Sequence, residues 1–194
     1  MLKFVFTFLL AMQATQPAVD EAAYTKMLDE RVDKIVAALK LDDPAKAQAV
    51  HKTIADQYRA IRDIDDSKPK DQRAAAKTAI HGPYLAKLGE NLTPAQVEAV
   101  KDGMTYGTVQ VTYNAYLTFV PQLNEEQKAK ILGWLKEARE EAMDGGSQKE
   151  KVAVFGKYKG RINNYLSSQG IDMKKQEQEY RDRQKAAKAT QPAT

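Results

Sequence analysis

The sequence predicts an all-α fold, a single-domain bundle of about six helices built as helical hairpins, with a charged C-terminal tail. Three observations carry this expectation. Apolar residues recur at three-and-four spacing along most of the chain, and helix-capping signatures stand at the heads of those runs. The one strand-like stretch has no second strand to pair with. With 194 residues, 43% of them hydrophobic and 29% charged, the chain is long enough to bury a core without covalent staples.

Taken in order, Met1 to Lys3 form a short basic start, and Phe4 to Met12 form an apolar run too short to span a bilayer. That pattern is the one a signal peptide uses, with cleavage expected between Ala14 and Ala18. The expected organisation is a signal peptide over 1–18, a helical domain over 20–171 and a tail over 172–194. Tyr24, Met27, Leu28, Val32, Ile35, Val36 and Leu39 share one face of a first helix. Asp43 and Pro44 supply an N-cap and an N1 proline for a second, carrying Val50, Ile54, Tyr58 and Ile61.

A third helix starts near Lys70, and Gly82-Pro83 is expected to break or kink it. Thr93-Pro94-Ala95-Gln96, Asn124-Glu125-Glu126-Gln127 and Ser147-Gln148-Lys149-Glu150 each read as a capping box opening a further helix. Gly107 to Tyr113 alternates as a strand would, yet Val109, Tyr113, Tyr116, Leu117 and Val120 also fit one helical face. Helix is the consistent reading, ended by Pro121. Gly145-Gly146 reads as a helix stop, and from Asp172 the chain becomes a solvated, mixed-charge helix fraying toward Thr194.

Composition removes several function classes. Acidic residues nearly balance basic ones, leaving a net charge of +4 without a basic stripe, so nucleic acid is not an expected partner. Cysteine is absent, which excludes disulfides, thiolate metal sites, a cysteine nucleophile and lipid attachment at a processed N-terminus. No cofactor or metal site is expected, no membrane span is expected after signal cleavage, and the oligomeric state is not encoded legibly. The expected location is the periplasm or outside the cell.

The chain has two histidines. His51 reads as a surface residue on the second helix. His81, at the Gly82-Pro83 interruption, is the more pointed candidate, because a side chain there can be aimed away from the helix. Carboxylate runs such as Lys136 to Glu141 read as solvated faces. The segments richest in aromatic and polar side chains are Asp102–Phe119 and Lys157–Tyr165. In the second, Lys157, Arg161 and Asn164 share a face, Tyr158 and Tyr165 the adjacent one, and Gly156 and Gly160 are expected to admit a neighbouring backbone. Tyrosine and tryptophan rings stack on the apolar face of a sugar, while asparagine, arginine and lysine supply directional hydrogen bonds. The candidate ligand-binding set is therefore His81, Tyr106, Tyr113, Trp134, Lys157, Arg161, Asn163, Asn164 and Tyr165.

Leu92-Thr93-Pro94-Ala95-Gln96 is similar to the LTxxQ signature of small periplasmic helical chaperones, and Leu123-Asn124-Glu125-Glu126-Gln127 is a looser copy. LTPAQVEAVKDGMTYGTVQVTYNAYL, LNEEQKAKILGWLKEAREEAMD and FGKYKGRINNYLSSQGID resemble an exported bacterial family known as domain of unknown function 3826, over roughly Ala22 to Met173. That resemblance implies a sugar-binding role accompanying polysaccharide utilisation. The expectation is an exported carbohydrate-binding protein with a cleft between the tyrosine-rich helix and Lys157–Tyr165. A chaperone or adaptor binding other proteins is the alternative, and a polysaccharide-processing enzyme would need two carboxylates facing one pocket.

Overall fold

The computed structural model describes residues 20–189, so the expected signal peptide and residues 190–194 lie outside the described part. Asp20 opens the fold, its carboxylate accepting hydrogen bonds from the Ala22 and Ala23 amides at the head of α1, Glu21–Ala38. There follow α2 (Pro44–Ser67), α3 (Lys70–Gly89), α4 (Pro94–Met104), α5 (Thr108–Phe119), α6 (Glu125–Met143), α7 (Gln148–Ser168) and α8 (Met173–Ala189). The all-α expectation holds for the described residues, and the β-branched stretch after Gly107 is helical as α5.

The expected count of about six helices is corrected to eight among the described residues. Two left-handed residues in succession, Tyr106 and Gly107, turn the chain between α4 and α5. Gly170, at φ +79°, turns it again, and Asp172 then caps α8 by accepting from the Lys174 and Lys175 amides.

Three local expectations are also adjusted. Pro83 does not end α3, which runs unbroken to Gly89. Tyr84 and Leu88, just beyond it, are buried in the core, and that packing outweighs the lost hydrogen bond. The capping boxes at Thr93 and Asn124 are complete. At Ser147 only half forms, because the Glu150 carboxylate turns to the Gly146 amide at 2.9 Å. Gly156 and Gly160 face open space, so neither admits a neighbouring backbone.

The apolar faces close into two cores. The first joins α1 to α4 around Leu28, Val32, Ile54, Leu88, Val100 and Met104. The second joins α5 to α7 around Val109, Tyr116, Ile131, Leu135, Ile162 and Leu166. Each such side chain contributes roughly 1.5–3 kcal/mol on burial. Helix α6 belongs to both, since its Met143 packs in the first core and its Ile131 and Leu135 in the second. No helix among the described residues is long and apolar enough to cross a membrane.

Candidate functional site

Helix α5 places Val109, Thr112 and Tyr116 inward at three-and-four spacing. Its outer flank, together with α7 and α8, walls a groove of about 270 Å³ lined by Val111, Thr112, Tyr116, Phe119, Asn163 and Glu177. At the floor the Tyr116 hydroxyl donates to Asn163 Oδ1 at 2.8 Å. Burial pushes that hydroxyl up to about 12, so it remains a protonated donor at neutral pH. With its oxygen engaged, the Asn163 amide keeps its N–H donors for other partners. Lys159 and Glu177, of opposite charge, stand at the margin, and Met173 adds apolar surface. Helix α8 is held over this groove by Phe119 and Tyr180, edge to face at 5.0 Å, and by the Gln122–Gln176 amide pair at 3.1 Å.

Of the residues singled out in the sequence, this groove contains Asn163 alone. Trp134, Arg161 and Tyr165 form a separate stripe along α6 and α7. Trp134 and Tyr165 meet edge to face at 5.3 Å, the Arg161 guanidinium lies 4.6 Å over the Trp134 ring, and Lys130 sits 4.7 Å from the Tyr165 ring. Arg161 also pairs with Glu137 at 3.2 Å, and Lys157 with Glu141 at 3.3 Å. Residues 161 and 165 are one turn apart, whereas 163 lies half a turn round, so α7 presents the two groups on different faces. Asn164 is exposed on α7, Tyr113 packs half-buried on the second core, and Tyr106 stands apart at the α4–α5 turn.

His81 lies in a third place, an open cleft of about 730 Å³ between α3 and the α6–α7 junction. Its Nδ1 is 3.0 Å from Asp144 and its Nε2 3.6 Å from Glu140. Burial raises the Asp144 carboxyl above the usual carboxylate range, and the His81 hydrogen bond opposes that only in part. Glu140 is shared with Lys101 at 3.1 Å, and the neighbouring Lys77 bridges Asp65 at 2.6 Å and Glu150 at 3.6 Å. Each ionisable group named here already has a partner, so the arrangement ties α2, α3, α6 and α7 together. Five carboxylates line the cleft, Asp65, Glu140, Glu141, Asp144 and Glu150, and each is engaged by a neighbouring cation or by His81. Among the described residues no group of three or more His, Cys, Asp or Glu could hold a metal ion.

The candidate set named from the sequence leaves out Tyr116, Thr112 and Glu177. The helical period placed Tyr116 on the apolar face, which marks burial but not the Asn163 partner 47 residues away. It also read Arg139 as part of a solvated face, whereas Arg139 is 3% exposed and clamps Asp102 and Glu98 of α4. The LTxxQ likeness reduces to a helix start: Thr93 and Gln96 cap α4, and Leu92 and Val97, on either side of that cap, both pack in the first core.

The search of curated proteins finds no match to this chain. A family model described as protein of unknown function (DUF3826) matches residues 25–78 and 67–186, which together take in most of the chain and nearly every helix. The protein therefore belongs to the DUF3826 family.

Proposed function

We propose that this protein binds carbohydrate, and that the groove between α5, α7 and α8 is where a sugar sits. The observation that supports this most is the Tyr116–Asn163 hydrogen bond at 2.8 Å, which fixes an amide with free donors beside the apolar flank of Phe119 and Val111. Pyranose rings offer that combination in reverse, an apolar face bordered by hydroxyls that accept and donate. The volume of about 270 Å³ suits one ring, with Lys159 and Glu177 reaching its outer hydroxyls.

Export belongs to the same reading, supported by the basic start and the apolar run from Phe4 to Met12. It would bring the groove to the compartment where extracellular polymers arrive. Cell fractionation with N-terminal sequencing of the mature chain tests this part. A protein-binding adaptor is less favoured. Of the most exposed large apolar side chains, Met27 and Tyr106 share one small groove while Val111 and Val152 stand elsewhere on α5 and α7, so they make no extended apolar face.

Titration calorimetry against a panel of neutral oligosaccharides tests the binding reading. One or more should bind, and Asn163→Ala should weaken that binding about tenfold, the equivalent of one hydrogen-bonding group. Absence of heat with every glycan, or full affinity in Asn163→Ala, would count against the groove.

A further inference from the structure

We propose that the groove between α1 and the α4–α5 turn is a second carbohydrate subsite, specific for an acidic sugar that stacks on Tyr106 and is held by Arg31 and Lys34. The inference rests on the carbohydrate reading above but concerns different residues.

The first observation is the cost of displaying Tyr106. It adopts φ +58° and is 48% exposed, followed by Gly107 at φ +63°. A left-handed residue just past a helix end is glycine's usual place, because a Cβ there crowds the carbonyl. Gly107 fills the second left-handed position without strain, yet the first carries a bulky ring that the fold leaves half exposed. Lys40 is left-handed in the same way just past α1, but only at Tyr106 does the strained position hold a large ring at the edge of a groove.

The second observation is what lies beneath the ring. Met27, Ile35, Ala99 and Gly103 give the groove an apolar floor, and its volume is about 420 Å³. Gly103 is needed for that floor, since a Cβ there would stand 2.9 Å from Ile35 Cγ1. Removing the side chain lets α4 lie flat on α1 and leaves a smooth shelf beside Tyr106.

The third observation is charge. Arg31 and Lys34 line the wall, with Glu30 the one acidic side chain in the same lining. Neither cation takes part in an ion pair among the described residues, although Lys77, Lys101, Arg139 and Arg161 all do. Arg31 is instead set in position by the Tyr58 ring, 5.5 Å from its guanidinium carbon. A flat exposed ring, an apolar shelf and two cations without carboxylate partners match a uronate or sulfate-bearing sugar. The ring takes the sugar face and the cations take its anionic group.

The experiment titrates the full chain with a galacturonate oligomer, a neutral oligosaccharide of the same length, and a poly-glutamate peptide. The acidic oligomer should bind, and more weakly as salt screens the pair. Arg31→Gln/Lys34→Gln should lower that affinity about tenfold or more, one hydrogen-bonded charge contact by itself being worth roughly that. Tyr106→Gly should weaken it as well while raising Tm by roughly 2–4 °C, because glycine relieves the left-handed strain. Lost binding with raised stability separates a binding role from a folding role. Neutral-sugar binding should ignore these changes, and Asn163→Ala should do the reverse. The subsite is overturned by acidic-oligomer binding that survives both variants, by no acidic-oligomer binding at low salt, or by poly-glutamate binding as tightly as the sugar acid. Neutral binding without acidic binding defeats this inference alone, and acidic binding without neutral binding defeats the α5–α7–α8 groove alone.

Discussion

Arg139 on α6 and Asp102 on α4 meet at 2.6 Å, with the same guanidinium also bonded to Glu98 one turn earlier on α4. Arg139 is buried, its Nε has no partner, and the two carboxylates are about half exposed. The pair thus carries the charge of one helix into the seam between the two cores. There it acts as a clamp whose removal strands charge rather than simply deleting a contact.

Replacing Arg139 with alanine should therefore destabilise the protein by about 3 kcal/mol, the lower end for a broken buried pair because its carboxylates remain wetted. Arg139→Lys should recover only part, since one ammonium cannot span both acids. The Glu98 carboxyl shows the same coupling. Burial alone would raise it, but Arg139 and Lys101 more than reverse this and hold it below the usual range. A lowered folded-state value contributes stability above the unfolded value, and that contribution fades as pH falls through the folded one. Urea unfolding of the wild type between pH 7 and pH 3 should show this acid loss, and it should be smaller in Arg139→Ala. An equal acid slope in both proteins would argue against the clamp.

At alkaline pH two opposed effects are expected. Burial pushes Lys151 down to about 8, where it donates to the Ala142 and Met143 carbonyls at the end of α6. Between that value and the ordinary lysine range near 10.5 the folded state binds fewer protons than the unfolded one, so stability should rise with pH. Burial pushes Tyr58 up to about 12 as well as Tyr116, so above about pH 10 the unfolded chain sheds protons the folded one retains. Stability should then fall. Unfolding midpoints from pH 7 to 11.5 should trace a shallow maximum, and Lys151→Met should lose the rise while keeping the fall.

Glycines inside helices should split by sign. Gly160→Ala on α7 meets open space and should stabilise by roughly 0.5–1 kcal/mol through backbone entropy alone. Gly103→Ala gains the same term but drives a methyl to 2.9 Å from the β-branched Ile35. Overpacking there costs roughly 1–3 kcal/mol, so the net effect should be destabilising. Thermal melts of the two variants decide this, and a stabilised Gly103→Ala would mean that α1 can slide away from α4.

Much of the fold was legible because its determinants are local. Asp43, Thr93 and Asn124 cap helices within three residues of themselves, and the apolar period names the faces that Leu28, Ile54 and Ile162 bury. The fate of Pro83 was not legible, since the packing of Tyr84 and Leu88 overrides a local rule. The site was less legible still. Periodicity put Tyr113, Trp134, Arg161 and Asn163 on helices. Which face of α7 met α6 and which met α5 depends on partners such as Tyr116 and Asn163, 47 residues apart. The charged tail gave no sign that α8 would cover a groove, because its anchors are single side chains, Tyr180 and Gln176, in a polar run.

That division of α7 gives the last prediction. Trp134 is the chain's only tryptophan, so its emission reports on the α6–α7 stripe alone. A sugar in the α5–α7–α8 groove rests against Tyr116 and Asn163, on another face of α7 from Arg161 and Tyr165. Saturating ligand should leave Trp134 emission unchanged, and Trp134→Phe should bind with wild-type affinity. Arg161→Ala should by itself shift the emission to the red, because the guanidinium 4.6 Å above the indole shields it from water. If ligand instead quenches Trp134, and Trp134→Phe loses binding, then the sugar stacks on the stripe. The tenfold effect expected of Asn163→Ala should then be absent. Fluorescence titration of the wild type and these variants separates the two surfaces directly.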